Sequence, residues 1–357
     1  MQVNGVTVLY FRWRRLFMRA WASSNPPGQR TRSHNDQDNE VEGQMCELAV
    51  FTGRAHQQLA QDICTHLGIP LGNAEVFEFD NENIFVKINE NVRGKDVFLV
   101  QPFSTPVNAS IMEVLIMLDA LRRASAQRVT AVIPYYAYGR TDKKDQPRVP
   151  ITARLIADCI TVAGANRVLT MDLHAGQIQG FFNIPVDELT AESILVNYVR
   201  SLKLADFTVV ATDTGFAKKA RNFAEDLNAP LAIIEKRRTN NAGGMESLGL
   251  IGSVEGQNAI IVDDEIGTAG SLIQAAQVVR ESGARDIYAA AVHGVLSGPA
   301  IQRIQHSDIK KLVLTDTIPL LPEKRIPQIA QCSVAELFAG AIARIHEGRS
   351  VSELFRQ

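Results

Sequence analysis

The stretch Ile260-Ile261-Val262-Asp263-Asp264-Glu265-Ile266-Gly267-Thr268-Ala269-Gly270-Ser271 decides the fold of this 357-residue chain. A β-branched apolar run enters it, two carboxylates and a turn of small residues follow, and a helical pattern over 272–282 leaves it. This order predicts a strand, an acidic rim, a loop and a helix. The amides of such a loop point at a ligand above the carboxyl edge of a sheet.

The same stretch has the chemistry to bind a sugar phosphate. The carboxylates of Asp263 and Asp264 can accept hydrogen bonds from ribose hydroxyls, while Thr268, Ser271 and the backbone amides hold a phosphate. The alternative is a buried strand whose aspartates cap the next helix. The stretch alone does not decide between the two interpretations.

Strand and helix patterns alternate outward from this stretch. A strand pattern at 129–133 precedes a helix pattern at 151–163, and another at 208–211 precedes a helix pattern at 216–227. Such alternation predicts an α/β fold, a mostly parallel sheet covered by helices. The chain length fits two such units, joined near 186–205. Chemistry is then expected in the loops that follow strands.

Composition excludes several classes of function. The formal net charge is −2 and 46% of the residues are hydrophobic, which predicts no nucleic-acid partner, and no apolar run is long enough to cross a bilayer. Four cysteines without a CxxC pair predict reduced thiols in a cytoplasmic protein, with neither a disulfide framework nor a zinc site.

Residues 1–45 differ from the rest of the chain. They begin with a basic amphipathic segment and continue into a polar stretch, which predicts a disordered extension. An organelle transit peptide is one interpretation. We favour an upstream extension, because the globular pattern begins directly after Met45.

Polar clusters follow several of the predicted strands. The loop 134–145 carries the cations Arg140, Lys143 and Lys144, which suit a polyphosphate, and tyrosines that can form a wall of the site. Asp172 and His174 stand one residue apart at a strand end, where they can share a metal ion or a metal-bound phosphate. A solvated charged loop and a structural histidine are the respective alternatives.

Two further loops complete the set. Asp213, Thr214 and Gly215 lie between a strand and a helix, where a glycine lets the backbone approach a pyrophosphate. The segment 235–244 has three cations followed by an Asn/Gly stretch, which predicts a flap that closes over an anion. No P-loop, no GxGxxG after the first strand and no GxSxG elbow is present, which disfavours Walker ATPases, dinucleotide dehydrogenases and α/β-hydrolases.

The order of these segments resembles the ribose-phosphate pyrophosphokinase (phosphoribosyl-pyrophosphate synthetase) family over essentially residues 46–355. The segments that carry the resemblance are 89–94, 106–108, 111–113, 115–124, 133–136, 172–175, 177–182, 236–238 and 295–300. The resemblance implies two tandem phosphoribosyltransferase-like domains, at 46–195 and 196–345, with 346–357 packing back on the N-terminal domain. It also implies a homo-oligomer, a hexamer built from dimers. The implied reaction transfers the β,γ-pyrophosphate of ATP to O1 of ribose 5-phosphate with Mg²⁺.

The resemblance also assigns roles to residues of this chain. It implies that the catalytic flap residues are Lys236 and Arg238, and that the metal site uses His174, Asp213 and Asp172. The implied pyrophosphate loop is Asp213, Thr214 and Gly215. The implied ATP-binding residues are Phe79, Asn81, Glu82, Asn83, Arg140, Thr141, Asp142 and Lys143. The implied ribose 5-phosphate site consists of Asp263, Asp264, Gly267, Thr268, Ala269, Gly270 and Ser271.

This sequence departs from the family pattern at several of these positions. Amides replace the two usual carboxylates at Asn81 and Asn83, and Phe216 stands where the pyrophosphate loop usually has a second glycine. Gly267 replaces a usual aspartate. Two alternatives follow: a catalytically silent regulatory paralogue, and a phosphoribosyltransferase. The retained cations and the Asp263–Asp264 pair favour the active diphosphokinase.

Overall fold

Strands and helices alternate through residues 46–238 and 246–355, the part of the chain that the computed structural model describes. The predicted extension, 1–45, lies outside the described residues. The α-helices of the described part are α1 Gln57–Leu67, α2 Val107–Arg123, α3 Thr152–Ala163, α4 Glu192–Ser201, α5 Ala217–Leu227, α6 Gly270–Glu281, α7 Ala300–Gln305 and α8 Ala335–His346. None of them is long and apolar enough to cross a membrane.

The first sheet is entirely parallel. Its order is β1-β4-β5-β6-β7, and its strands are β1 Leu48–Thr52, β4 Asp96–Val100, β5 Arg128–Ile133, β6 Arg167–Met171 and β7 Val186–Leu189. The central strands are buried along their length, as expected for a parallel sheet with helices on both faces. A separate antiparallel hairpin is formed by β2 Ala74–Glu78 and β3 Ile84–Ile88.

The second sheet has one antiparallel edge. Its order is β10-β9-β8-β11-β12-β13-β14, and its strands are β8 Phe207–Ala211, β9 Leu231–Arg238, β10 Glu246–Ile251, β11 Asn258–Ile266, β12 Ile287–Gly294, β13 Ile309–Thr315 and β14 Ile329–Cys332. Only the β9–β10 pair runs antiparallel among the strands described in this sheet. The predicted α/β class, with mostly parallel sheets flanked by helices, is therefore confirmed.

Two strand ends differ from their predicted positions. β11 continues through the acidic rim to Ile266, so Asp263 and Asp264 belong to the strand itself. β9 continues to Arg238 because its backbone pairs with β10, with Lys236 opposite Leu248. The predicted flap at 235–244 therefore begins as a β-ribbon, and residues 239–245 lie outside the described residues.

The two sheets share part of one hydrophobic core. Val50 and Phe98 of the first sheet belong to the same buried cluster as Val209 and Ile260 of the second. Helix α8, which follows the second sheet, packs on α1 of the first. The described residues accordingly belong to one compact unit, and the division into domains at residue 195 stays a prediction.

The C-terminal segment packs against elements from the N-terminal half of the described chain. A 3-10 helix, Val351–Phe355, packs on α8, where Leu354 is in contact with the shared core. At the end of α8, His346 hydrogen-bonds Asp96 at 2.9 Å, and Asp96 also forms an ion pair with Arg128. A buried carboxylate with two such partners holds the last helix against the first sheet.

Candidate active site

The carboxyl ends of β6 and β11 meet at the junction of the two sheets. Nδ1 of His174, three residues after β6, lies 2.7 Å from Oδ2 of Asp264 on β11. An ionised carboxylate can only accept, so Nδ1–H of His174 donates and Nε2 remains for a ligand. The structure thus brings together two predicted site residues that are 90 positions apart in the sequence.

Charges at this junction are strongly coupled. The hydrogen bond with Asp264 raises the pKa of His174, although burial works in the opposite direction. Burial acts to raise the pKa of Asp264, but its hydrogen bonds with His174 and Asp263 outweigh burial and lower it. Burial, and then the charge of Asp264, raises the pKa of Asp263. One negative charge is therefore stable here, and a second requires a cation or hydrogen-bond donors from a ligand.

The loop after β11 forms a recess of about 70 Å³. Its lining residues are Arg140, Asp263, Glu265, Ile266, Gly267, Thr268, Ala269, Gly270, Ser271 and Leu272. Ala269 adopts a left-handed φ of 59° directly before α6, so the chain turns sharply into the first helical turn. The first amides of a helix have no partner within it and carry a partial positive charge, which suits a phosphate.

The loop after β12 supports this recess from behind. The amides of Leu296 and Ser297 donate to the carbonyls of Ile266 and Gly267, each at 3.0 Å. Arg303 of α7 donates to the carbonyl of Thr268 at 2.9 Å. Two backbone hydrogen bonds and one from the Arg303 side chain thus hold this loop.

The loop after β5 supplies one wall of the recess. The guanidinium of Arg140 lies 3.5 Å from Glu265, and the Tyr135 hydroxyl lies 3.3 Å from the other oxygen of that carboxylate. Burial, and then the charge of Glu265, raises the pKa of Tyr135, which keeps the phenol protonated as a donor. The sequence pattern indicated a wall position for the tyrosines of this loop, but it assigned no role to Glu265.

The remaining predicted residues of this loop have different environments. Thr141 donates its hydroxyl to the carbonyl of Tyr138 at 2.7 Å, and buried Asp142 accepts from Gln177 at 2.9 Å. Lys143 is exposed. Thr141 and Asp142 shape the loop in this structure, and their roles in binding ATP stay predictions.

The carboxylate of Asp172 already has hydrogen-bond partners within the protein. Its carboxylate accepts from the Ala191 amide at 2.7 Å and the Thr190 hydroxyl at 3.2 Å, just before α4, and Lys219 lies 3.6 Å away. These contacts match a helix cap more closely than a metal ligand. Its role as a ligand stays a prediction.

A fully buried histidine adjoins Asp172, and no sequence signal identified it. Nε2 of His293 lies 3.2 Å from the carbonyl of Asp172, and Nδ1 lies 2.9 Å from the Thr317 hydroxyl. Burial lowers the pKa of His293, so the ring is neutral at physiological pH. Its contact fixes the backbone two residues before His174.

The predicted pyrophosphate loop connects β8 to α5. The Asp213 carboxylate accepts from the amide of Phe216 at 2.9 Å, and Thr214 and Gly215 are exposed. Phe216 contacts the shared core and lines a cavity of about 390 Å³ between α4 and α5. The residue that replaces glycine here is therefore half-buried and packs against the shared core.

Two groups of predicted site residues remain: one lies in the β2–β3 hairpin, and the other lies at the end of β9. Phe79, Asn81, Glu82 and Asn83 form the turn of the β2–β3 hairpin, where the Phe79 amide donates to the Asn83 carbonyl at 2.9 Å. The Phe79 side chain is 49% exposed and packs edge-to-face with Phe77. Lys236 and Arg238 occupy the end of β9, but their side chains lie outside the described residues.

Known proteins match most of the chain. Residues 48–164 match the model of the N-terminal domain of ribose phosphate pyrophosphokinase, and residues 244–356 match that of the phosphoribosyl synthetase-associated domain. A ribose-phosphate pyrophosphokinase of Caldanaerobacter subterraneus is 56% identical over 309 residues, which are 86% of this chain and 98% of that protein. A ribose-phosphate pyrophosphokinase of Clostridium acetobutylicum is 51% identical over 312 residues, which are 87% of this chain and 98% of that protein.

A solved structure agrees with these sequence matches. The crystal structure of phosphoribosylpyrophosphate synthetase from Mycobacterium smegmatis superposes with a TM-score of 0.80 at 41% identity, over 85% of this chain and 99% of that one. The two mostly parallel sheets, joined at their carboxyl edges, thus have the fold of a phosphoribosylpyrophosphate synthetase. The chain belongs to the ribose-phosphate pyrophosphokinase family.

Proposed function

We propose that this protein is a ribose-phosphate diphosphokinase, which transfers the β,γ-pyrophosphate of ATP to O1 of ribose 5-phosphate. The observation that carries the proposal is the junction of Asp263, Asp264 and His174 beside the loop 267–271, in a chain of this family. It offers a carboxylate surface for sugar hydroxyls next to helix amides for a phosphate. No other function has an observation of comparable weight.

The residues divide the work between substrate binding and charge stabilisation. Asp263 and Asp264 orient the ribose, and the loop 267–271 holds its 5-phosphate. O1 attacks the β-phosphorus in line and its proton passes to solvent; the O1–Pβ bond forms, the bond from Pβ to the bridging oxygen breaks, and AMP leaves with that oxygen. Positioning and neutralisation of the transferring group supply most of the acceleration. Lys236, Arg238 and Arg140 supply positive charge.

Mg²⁺ is the cation that a reaction between phosphates requires here, and His174 and Asp213 offer the donor types that it accepts. Nε2 of His174 and the Asp213 carboxylate follow the carboxyl ends of β6 and β8. Burial, and then the charge of Asp264, raises the pKa of Asp263, so a nearby cation would stabilise the ionised form of that carboxyl. When bound, the ion would neutralise phosphate oxygens. His174 is further oriented by Asp264, as metal-binding histidines usually are by a carboxylate.

We further propose a homo-oligomer, of the hexameric kind built from dimers. Large apolar side chains are exposed on two neighbouring helices: Met112 on α2, and Leu155 and Val162, which is 76% exposed, on α3. Such a surface is typical of a contact with another subunit. The hairpin turn at 79–83 would complete a neighbour's ATP site. Free thiols at all four cysteines support the cytoplasm as the location.

Release of AMP from ATP, with and without ribose 5-phosphate, tests the function. AMP that appears only when the sugar phosphate is present is the expected result, from protein starting at Met45 and supplied with magnesium. A well-folded oligomer that releases no AMP from any nucleoside triphosphate would instead favour the silent regulatory paralogue. Transfer of a base to phosphoribosyl pyrophosphate would favour the phosphoribosyltransferase.

Asp263→Asn should weaken substrate binding without weakening the fold. We expect the KM for ribose 5-phosphate to rise about tenfold or more, because a charged hydrogen-bond acceptor contributes roughly 1.5–3 kcal/mol. The folded-state pKa of Asp263 is raised, so wild-type stability falls as pH rises from the ordinary carboxyl range toward that raised value. Asparagine does not titrate, so the variant does not lose stability in this way. The melting temperature of the variant minus that of wild type should therefore increase from pH 5 to pH 8. An unchanged KM would place the sugar elsewhere.

A further inference from the structure

Glu265 places a third carboxylate at the ribose-phosphate recess. Along β11 the side chains alternate, with Asp263 and Glu265 partly exposed while Asp264 and Ile266 are buried. Side chains two residues apart on a strand share a face. Glu265 therefore lies on the same face as Asp263, and both line the recess.

Two residues of the first sheet hold this carboxylate in place. The Tyr135 hydroxyl lies 3.3 Å from Oε2, and Nε of Arg140 lies 3.5 Å from Oε1. The side chain of Glu265 is 14% exposed, so it is restricted without being sealed from the recess. Both contacts are longer than a typical charge-assisted hydrogen bond, which leaves acceptor capacity on each oxygen for a ligand.

The same carboxylate lies where a side chain at position 267 would be. A Cβ built on Gly267 would stand 3.9 Å from Oε1 of Glu265, in ordinary van der Waals contact and without another close neighbour. Position 267 is where the family pattern usually has an aspartate. Gly267 is the first residue after β11, so the measured distance to Glu265, and not strand alternation, shows that the two positions face the same space.

We propose that Glu265 is a substrate-binding residue that replaces, from two positions earlier in the strand, the carboxylate missing at Gly267. Its carboxylate accepts a hydrogen bond from a hydroxyl of the ribose 5-phosphate ring. The inference rests on the proposed function, since it concerns the sugar phosphate of that reaction. It also explains how the site keeps three carboxylates although the loop has lost one.

Removing the charge of Glu265 tests whether this residue binds the sugar phosphate or only positions Arg140. Glu265→Gln keeps the shape of the side chain and should raise the KM for ribose 5-phosphate about tenfold or more, with the KM for ATP within about twofold of wild type. A change confined to the KM for ATP would show that Glu265 only positions Arg140, and would overturn the proposal. Glu281→Gln, at the exposed end of α6, is the matched control.

Moving the carboxylate tests the replacement itself. Glu265→Ile alone should lose affinity, Gly267→Asp alone should gain none because two adjacent carboxylates repel, and the double variant should return to within about threefold of wild type. The conformation of Gly267 is not left-handed, so an aspartate adds no backbone strain. A double variant no better than Glu265→Ile would contradict the proposal.

Equilibrium binding distinguishes failure of this inference from failure of the proposed function. Calorimetric titration with ribose 5-phosphate and magnesium, without ATP, gives the affinity of each folded variant directly. A wild-type protein that does not bind the sugar phosphate would refute the proposed function. Wild-type binding that Glu265→Gln retains in full would refute only the role of Glu265.

Discussion

Replacing Lys236 with alanine is expected to lower kcat by about a thousandfold or more, the largest single effect in this protein. Loss of a cation that stabilises a transferring phosphoryl group typically reduces kcat by about 10³–10⁵. The backbone at Lys236 is held by its pairing with Leu248, so the substitution should leave the strand and the fold intact. Single-turnover measurements of AMP formation at saturating substrates would report the chemical step directly.

Arg237→Ala is the matched control for this prediction. Arg237 neighbours Lys236 on β9 and pairs with Ser247, but no part of the mechanism uses it. Its kcat should stay within a few-fold of wild type, and both variants should keep the melting temperature of the parent. A Lys236→Ala enzyme with near-normal kcat would remove the catalytic role assigned to the end of β9.

The second large effect is expected for His174→Ala, with kcat/KM for magnesium-ATP lowered about a hundredfold. The substitution removes a proposed metal ligand, and it also takes away the hydrogen bond that keeps Asp264 ionised. Loss of that bond should raise the pKa of Asp264, so the acidic limb of the pH–rate profile should move to higher pH. Initial rates measured against magnesium concentration and pH would show both changes.

His306→Ala provides the comparison for His174. His306 is exposed directly after α7, and the proposed mechanism does not use it. Its Nδ1 lies 2.7 Å from the carbonyl of Gln302. Its substitution should change neither the magnesium dependence nor the pH profile. If His174→Ala altered only thermal stability and left kcat/KM and the pH profile unchanged, the junction would be structural.

The local sequence predicted the fold class, which the structure confirms, and it named candidate site residues whose roles stay predictions. Alternating strand and helix patterns predicted the two mostly parallel sheets, because hydrophobic periodicity is a local property of the chain. Paired carboxylates ahead of a small-residue turn likewise predicted the recess at 267–271, since a strand, a loop and a helix N-terminus are built from consecutive residues.

Tertiary structure decided what depends on residues distant in the chain. It paired His174 with Asp264, brought Tyr135 and Arg140 to Glu265, and gave Asp172 its partners at the start of α4. It also placed Phe216 at the wall of a cavity between α4 and α5, against the shared core, and continued β9 through Lys236 by pairing with β10. The pKa values of Asp263 and Asp264 follow from burial and from one another, so no local pattern contains them. Local sequence thus selects the elements, whereas packing between the two sheets selects which side chains share the site.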